Sequence, residues 1–345
     1  MKINVKVKDI AKVAGVSPST VSLVLNNRPS RIAEDTKEHI FRVAREMQFQ
    51  KETEIDFTEF KKVRTIGLIV PDRMNPFYHQ LAEEIARNAF LGDYSVFQCY
   101  TGDDIQCFYT AVEGFMAKNI DGIIVIPPRT MDKENVKLLK SVQKSNVPIM
   151  LLDRAAYGVF CDFVTADNKH GGKIAAEYMI KKGHTRIGCM MAEQNIYTSR
   201  KRLEGYREAL AAYKIPFDKS LIYYGNYDIE SGRQGAKELI GKGVTAIVAG
   251  NDLMALGVYL YAEEQGLSVP DDVSVIGYDN TELCRFARTP LTSVDQNTAT
   301  MASKAVEVIL RQIGKEEGDE VPARNYYFTP YIVERESVKD CNSQK

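Results

Sequence analysis

The sequence predicts two kinds of structure in one chain: a short all-α head, and an α/β body of two doubly wound parallel-sheet lobes. Three observations lead there. Residues 1–49 show only helical spacing of apolar side chains. From Arg64 onward, short apolar runs alternate with amphipathic stretches, the pattern of parallel strands joined by crossover helices. About ten such units follow one another, more than a single sheet holds comfortably.

Composition sets limits. A chain of 345 residues is long enough for two or three domains with a sizeable core. The net charge of −1 names no partner, but the charge is uneven. Residues 1–49 hold nine basic and five acidic side chains, a net +4. The segment 50–60, QKETEIDFTEF, sets Lys51 against Glu52, Glu54, Asp56 and Glu59, a net −3. A basic head on a near-neutral body points toward nucleic acid. The cysteines at 99, 107, 161, 189, 284 and 341 form no C-x-x-C pair, so free thiols in a reducing compartment are expected. MKINVKVKDI has no continuous apolar core of a signal peptide. No run approaches the ~18 apolar residues of a membrane span. The expectation is a cytoplasmic protein with no membrane partner.

The head carries the sharpest local pattern, KDIAKVAGVSPSTVSLVLN at 8–26. Ile10, Ala11, Val13 and Ala14 make one apolar helical face, and Gly15 permits a tight turn. Ser17 followed by Pro18 starts a second helix, with a hydroxyl cap and a proline where no N–H is missed. Val21, Val24 and Leu25 give that helix its buried side. Residues 33–47 supply a third helix through Ile40, Val43, Ala44 and Met47. Two short helices joined at a glycine, the second presenting its N-terminus, form a helix-turn-helix. Pro18, Ser19 and Leu23 then face a major groove. Thr20, Ser22 and Asn26 are placed for phosphates, and Lys6, Ser17 and Arg28 complete the candidate DNA-binding set. Leu23 has no hydrogen-bonding group for a base edge; it suits a thymine methyl. A small helical bundle that binds nothing is the competing reading; the turn chemistry and the +4 balance weigh against it.

In the body, the strand candidates are 65–70, 94–100, 121–126, 147–153, 185–191, 220–224, 244–250 and 273–279. Stretches 75–90 and 252–266 read as helices between them. In such folds ligands bind beyond the carboxyl ends of the strands, in the cleft between lobes.

At these residues the chain resembles the LacI/GalR (lactose-repressor) family of bacterial transcription regulators. DIAKVAGVSPSTVSLVLN looks like the family's headpiece signature. NPFY (75–78), DGIIV (121–125), VPIMLLDR (147–154), GHTRIG (183–188), GYREAL (205–210), TAIVAGNDLMALG (245–257), VPDDVSVIGYDN (269–280), TPLTSVDQ (289–296) and IVERESV (332–338) follow in family order. The resemblance implies a headpiece (1–49), a hinge (50–62) and a periplasmic-binding-protein-like (type I) core (63–340). It also implies operator double-stranded DNA as partner, a homodimer, and a small effector, often a sugar. The core lobes are expected at 63–162 with 294–324, and at 163–290 with 325–340, before a frayed polar tail at 341–345. That tail carries no heptads for a tetramer.

The connector departs from the family pattern. Family hinges fold on the operator and push a leucine pair into the minor groove. Here Lys51, Glu52, Ile55 and Thr58 stand at the hinge proline, asparagine, alanine and wedge leucine. Threonine is a poor wedge, and four carboxylates have the wrong sign for phosphates. A solvated spacer and a DNA-entering hinge both remain open on this sequence.

The resemblance also nominates a cleft, and chemistry agrees with the choice. Asp153 and Asp279 each end an apolar strand and can accept from hydroxyls. Arg154 stands beside Asp153 as a second choice. Arg202 offers a planar donor fork, and Asn251 both donor and acceptor. Gln296 lies on a lobe-crossing segment, and Tyr227 where relatives place a stacking aromatic. Asn75 and Phe77 lie on the first loop of the body. Each has a plain structural alternative: Asp153 and Asp279 as helix caps, Arg202 as a surface charge, Tyr227 as core.

Other functions fit less well. No G-x-x-x-x-G-K-[ST] loop, no G-x-S-x-G elbow and no His/Cys metal spacing occurs, so neither an enzyme nor a cofactor or metal is expected. A transport binding protein shares such a core but has no use for the head. A regulator controlled mainly by a phosphorylated carrier protein remains the alternative input.

Overall fold

The computed structural model describes residues 5–26, 31–47, 49, 63–193, 196–315 and 322–344. The chain divides into two compact units, residues 1–62 and 63–345.

The head contains helices α1 (Val7–Ala14), α2 (Pro18–Leu25) and α3 (Glu34–Glu46). Gly15 takes the left-handed φ of 68° and its N–H closes onto Ala11 O, ending α1. Ser17 Oγ accepts from Thr20 N at 3.1 Å, and Pro18 opens α2. Ile10, Ala11, Ala14, Val21, Val24, Ile40, Val43 and Ala44 form the core. Val13 departs from expectation: it is 60% exposed, because the buried stripe of α1 is centred between Ile10 and Ala11 and Val13 falls to one side of it.

The second unit alternates strand and helix: β1 (Thr65–Val70), α4 (Pro76–Leu91), β2 (Ser95–Tyr100), α5 (Ile105–Ala117), β3 (Gly122–Val125), α6 (Lys133–Lys144), β4 (Ile149–Leu152) and β5 (Asp162–Ala166). It continues through α7 (Asn168–Lys181), β6 (Ile187–Ala192), α8 (Tyr197–Ala212), β7 (Ile222–Gly225), α9 (Ile229–Gly241), β8 (Ala246–Val248), α10 (Asp252–Glu264) and β9 (Ser274–Tyr278). A short α11 (Leu283–Phe286), β10 (Ser293–Asp295), α12 (Thr298–Ile313), β11 (Asn325–Phe328) and β12 (Tyr331–Val333) complete it. Two six-stranded sheets result, in the orders β11-β5-β4-β3-β1-β2 and β12-β10-β9-β8-β6-β7. The pairings are parallel except β10 with β12. Strands such as β1 are buried on both faces, as parallel sheets require. In the first lobe α4 and α12 supply one core, and α5 and α6 the other.

The strand pairings move the expected lobe limits. β5 runs to Ala166, beyond the 162/163 boundary, and β11 pairs with it in the first sheet rather than belonging to the second lobe. β10 lies in the second sheet although its residue 294 was assigned to the first lobe. The chain therefore crosses between lobes at 166–168, 295–298 and 328–331. The tail also differs. Cys341–Gln344 form a 3-10 turn, Cys341 N donates to Lys182 O at 2.8 Å, and Asn342 Nδ2 donates to Lys181 O at 2.8 Å. Those carbonyls close α7, whose last turn leaves acceptors unpaired within the helix.

Two helix pairs in the second lobe pack backbone against backbone. A Cβ on Gly172 of α7 would lie 2.0 Å from Arg202 O, and one on Gly205 of α8 would lie 1.8 Å from Lys169 O. The same device joins α9 to α10: a Cβ on Gly232 would lie 2.2 Å from Met254 O, and one on Gly257 would lie 2.2 Å from Ile229 O. Because both glycines of a pair meet main chain, the clash has no flexible side chain to absorb it. Gly205→Val is expected to lower stability by about 1–3 kcal/mol or more, read as a reduced urea midpoint. An unchanged midpoint would show that α7 and α8 can part without cost.

Candidate functional site

In the head, Lys6, Ser17, Pro18, Ser19, Leu23 and Asn26 are exposed, and Thr20 and Ser22 half-buried. Ser17 is committed to local bonds: its hydroxyl lies 2.7 Å from Ser19 Oγ and 2.8 Å from Thr20 Oγ1. Lys6 N donates to Asp9 Oδ2 at 2.8 Å, and Asn26 Nδ2 to Ser22 O at 2.8 Å. Pro18, Ser19 and Leu23 are thus exposed at the open side of α2, as a major-groove reader requires, with the Ser19 hydroxyl turned to Ser17. Arg28 and the connector 50–62, with Lys51, Glu52, Ile55 and Thr58, lie outside the described residues.

In the body, the polar candidates converge between the lobes. Arg202, fully buried on α8, donates from Nε to Asn168 Oδ1 at 2.8 Å and from Nη1 to Gly250 O at 2.7 Å. Its guanidinium stacks on Tyr278, 3.6 Å from the ring centre. Burial works against its charge, but Tyr278, Tyr227, Asp279 and Asp153 around it outweigh that and hold its pKa above the ordinary value. Asp153 Oδ2 accepts from Tyr78 OH at 3.2 Å. Arg154 Nη1 donates to Asp103 Oδ1 at 2.7 Å and to Pro127 O at 3.1 Å. Asp279 Oδ1 accepts from Gln296 Nε2 at 2.7 Å. Asn251 caps α10 through Oδ1 to Met254 N at 2.9 Å, while its Nδ2 donates to Tyr227 O at 3.0 Å.

Three of these residues have left-handed backbone: Asp153 (φ 61°), Tyr227 (φ 62°) and Asp279 (φ 109°). Such strain is uncommon in non-glycine residues and gathers at binding sites. Four buried polar atoms of the same cluster carry no hydrogen-bond partner: Asp153 Oδ1, Gln296 Oε1, Tyr227 OH and Tyr278 OH. Buried polar atoms are normally satisfied, so these four mark the cluster as a candidate binding site.

Two nominees stand apart. Asn75 Oδ1 caps α4 through Phe77 N at 3.1 Å, and Phe77 itself lies in the first lobe's core. The neighbour Tyr78 supplies the polar tip instead. Sequence reasoning also missed Asp103, Arg129, Asn168 and Tyr278. Tyr278 had a signal, since it immediately precedes Asp279. Asn168 opens a helix directly after an unrecognised strand, β5. Asp103 had none beyond its place after β2.

A paired helical head that presents a free recognition edge, joined to a two-lobed α/β sensor with an unsatisfied polar cleft, defines a ligand-responsive DNA-binding regulator. The model for bacterial regulatory proteins of the lacI family matches residues 6–52, and the model for a periplasmic binding protein-like domain matches 176–338. The chain is 30% identical over 340 residues to the HTH-type transcriptional repressor PurR of Vibrio parahaemolyticus, covering 97% of this chain and 99% of that one. It is 31% identical over 336 residues to the HTH-type transcriptional regulator DegA of Bacillus subtilis, covering 97% and 98%. Among solved structures, a transcriptional regulator CelR–cellobiose complex is 25% identical with a TM-score of 0.71, over 96% of this chain and 99% of that one. The chain belongs to the lacI family. It is a DNA-binding transcriptional repressor of that type, and its relatives are regulators, not enzymes. Among the described residues no helix is long and apolar enough to cross a membrane.

The cleft carboxylates predict a pH dependence. Burial pushes Asp279 well above the usual carboxylate range, against the pull of Arg202 and with a further push from Asp252 and Asp153. Burial also raises Asp153. A raised folded-state pKa means the folded protein holds more protons than the unfolded chain above the unfolded pKa of about 3.9. The ligand-free protein therefore loses stability as pH rises through that window. Asp279→Asn is expected to raise the neutral-pH melting temperature and to flatten its decline between acid and neutral pH. A lower melting temperature at neutral pH would mean that the carboxylate charge is stabilising instead.

Proposed function

We propose that this repressor senses a small polyhydroxylated molecule, a sugar or sugar derivative, in the inter-lobe cleft, and binds a pseudo-palindromic operator as a cytoplasmic homodimer. The observation that carries the sugar reading is the character of the unpartnered atoms. Asp153 Oδ1 and Gln296 Oε1 are acceptors, and the Tyr227 and Tyr278 hydroxyls both donate and accept. Several acceptors at fixed positions suit a ligand rich in O–H donors. Both η nitrogens seen bonding in the cleft, Arg202 Nη1 and Arg154 Nη1, are held by protein oxygens. The cellobiose complex among similar structures supports the same class. Asp153, Arg154, Arg202, Tyr227, Asn251, Asp279 and Gln296 form the proposed effector site. In the head, Pro18, Ser19 and Leu23 read bases, and Thr20, Ser22, Asn26 and Lys6 hold the backbone. A ligand acts by binding the two lobe arrangements unequally.

The dimer reading rests on the edge of the first lobe. A groove of about 790 Å³ runs between β2 and α5, lined by Val96, Phe97, Cys99, Cys107, Ala111 and Phe115 among others. Phe97 is 49% exposed on this edge strand, and Phe90 nearby in sequence is 78% exposed. A contiguous apolar surface on an unpaired edge calls for a partner.

The test is a thermal-shift screen of mono- and disaccharides, polyols and nucleosides. Ligand-free protein should respond to a sugar, and Arg202→Ala should remove the response while operator binding persists. If nothing in the screen shifts the protein, while a phosphorylated carrier protein strengthens operator binding, the carrier reading replaces this one. Independently, Phe97→Glu should turn the protein monomeric by light scattering and weaken operator binding. A Phe97→Glu dimer would move the interface elsewhere.

A further inference from the structure

Helix α2 (PSTVSLVL) offers a base edge very little polar chemistry. It contains no Arg, Lys, Asn, Gln, Asp or Glu. The side chains that grip guanine or adenine through two hydrogen bonds at once are therefore missing from it. Asn26, just past its end, has its amide nitrogen committed to Ser22 O at 2.8 Å and 3.3 Å from Ser22 Oγ. The open side presents Pro18, the Ser19 hydroxyl and Leu23, which is 37% exposed. Ser19 and Leu23 are four residues apart, so they share one face, a turn from each other.

The Ser19 hydroxyl is not independent. Ser17 Oγ accepts from Thr20 N at 3.1 Å, and it lies 2.7 Å from Ser19 Oγ and 2.8 Å from Thr20 Oγ1. Two hydroxyl oxygens at these distances need a hydrogen between them. A serine hydroxyl has one hydrogen and two lone pairs. One lone pair of Ser17 goes to the Thr20 N–H. Its other lone pair and its hydrogen must serve the two hydroxyls, one each. Either Ser19 or Thr20 therefore gives its hydrogen to Ser17. The other receives a hydrogen from Ser17 and keeps its own for DNA.

The phosphate backbone fixes the choice. Phosphate oxygens only accept, so a Thr20 hydroxyl held on the backbone must donate there. Thr20 then takes the hydrogen of Ser17, and Ser19 gives its own to Ser17. Ser19 is left facing the groove with lone pairs alone. An acceptor in the major groove has two targets, the adenine and cytosine amino groups, and none on guanine or thymine. Leu23, one turn on, suits the thymine methyl. The adenine amino group and the thymine methyl belong to the same base pair.

We infer that α2 reads A·T pairs in each half-site, with Ser19 accepting from an adenine amino group and Leu23 covering a thymine methyl. This rests on the reading of α2 as the recognition helix with Thr20 on the backbone. Selection of the operator then comes from one acceptor and from apolar contact, not from paired hydrogen bonds.

The test uses the full-length protein and the duplex that in vitro selection returns as its operator. Single base analogues are placed along the half-site. Deoxyuridine removes the thymine methyl, purine deoxyriboside removes the adenine amino group, and 7-deazaadenine removes only the N7 acceptor. At one thymine, uracil should weaken binding about four-fold, the value of one buried methyl, and Leu23→Ala should abolish that difference. At one adenine, purine should weaken binding about five-fold, the value of one neutral hydrogen bond, and Ser19→Ala should abolish it. 7-Deazaadenine should be tolerated at that adenine. Loss of binding with 7-deazaadenine but not with purine would make Ser19 a donor and overturn the proposal. Uracil tolerated at every thymine, or a fixed G·C pair whose selection depends on Ser19 or Leu23, would overturn it as well, while leaving α2 as the recognition helix. If selection returns no operator at all, the DNA-reading assignment of the head fails first, and the inference falls with it.

Discussion

A guanidinium removed from water must be met by hydrogen bonds and charge on every side, and Arg202 imposes that demand on much of the second unit. Asn168 meets it from the first turn of α7, Gly250 from the end of β8, and the ring of Tyr278 from the end of β9. These groups belong to different segments, so the charge fixes their relative positions. The reach to Asn168 requires α7 and α8 to approach closely, which only the glycines at 172 and 205 permit. The packing of two helices and the geometry of the cleft are in this sense one constraint.

The same centre explains why so many acids can be buried together. Burial raises Asp153, Asp279 and Asp252 alike, and Asp279 is pushed up further by the other two. Asp252 is fully satisfied: it accepts from Thr281 N, Thr281 Oγ1 and Ser293 Oγ. It therefore serves as structure beneath the site. Asp153 and Asp279 retain strained backbones, and Asp153 keeps a free oxygen. Neighbouring carboxylates of one type have thus been separated in role by their hydrogen bonds alone.

The sequence made the architecture legible where the apolar pattern was long and uninterrupted. β1 and β9 stood out, as did the turn at Gly15 and the cap at Ser17. It was silent where strands were short or carried polar residues. β5 begins with Asp162, whose carboxylate accepts from Arg324 N and pairs with Arg311, and β10, β11 and β12 have three or four residues each. Those are the strands that close the sheets between lobes, so the lobe limits were misplaced by a few residues. Asp153, Arg202, Asn251, Asp279 and Gln296 were legible through the family resemblance, which their chemistry and their places beside recognisable strands and helices supported. Asp103 and Arg129 were not, because they act through contacts made across a fold rather than along a chain.

Lobe discontinuity has a consequence for biosynthesis. β11 pairs with β5 although Asn325 and Phe163 are far apart in sequence, and α12 covers Ile66, Leu68 and Val70 of the first core. A ribosome makes all of the second lobe except β12 and the residues after it before it makes those covering segments. Until then the first sheet lacks an edge strand and the part of a helical layer that α12 adds to α4, and it presents an apolar face to solvent or to a chaperone. The second lobe, by contrast, is nearly contiguous and can close soon after it emerges. Synthesis in chain order therefore leaves the oldest part of the core as the last to be sealed, and a nascent chain stalled before α12 is the form most exposed to aggregation.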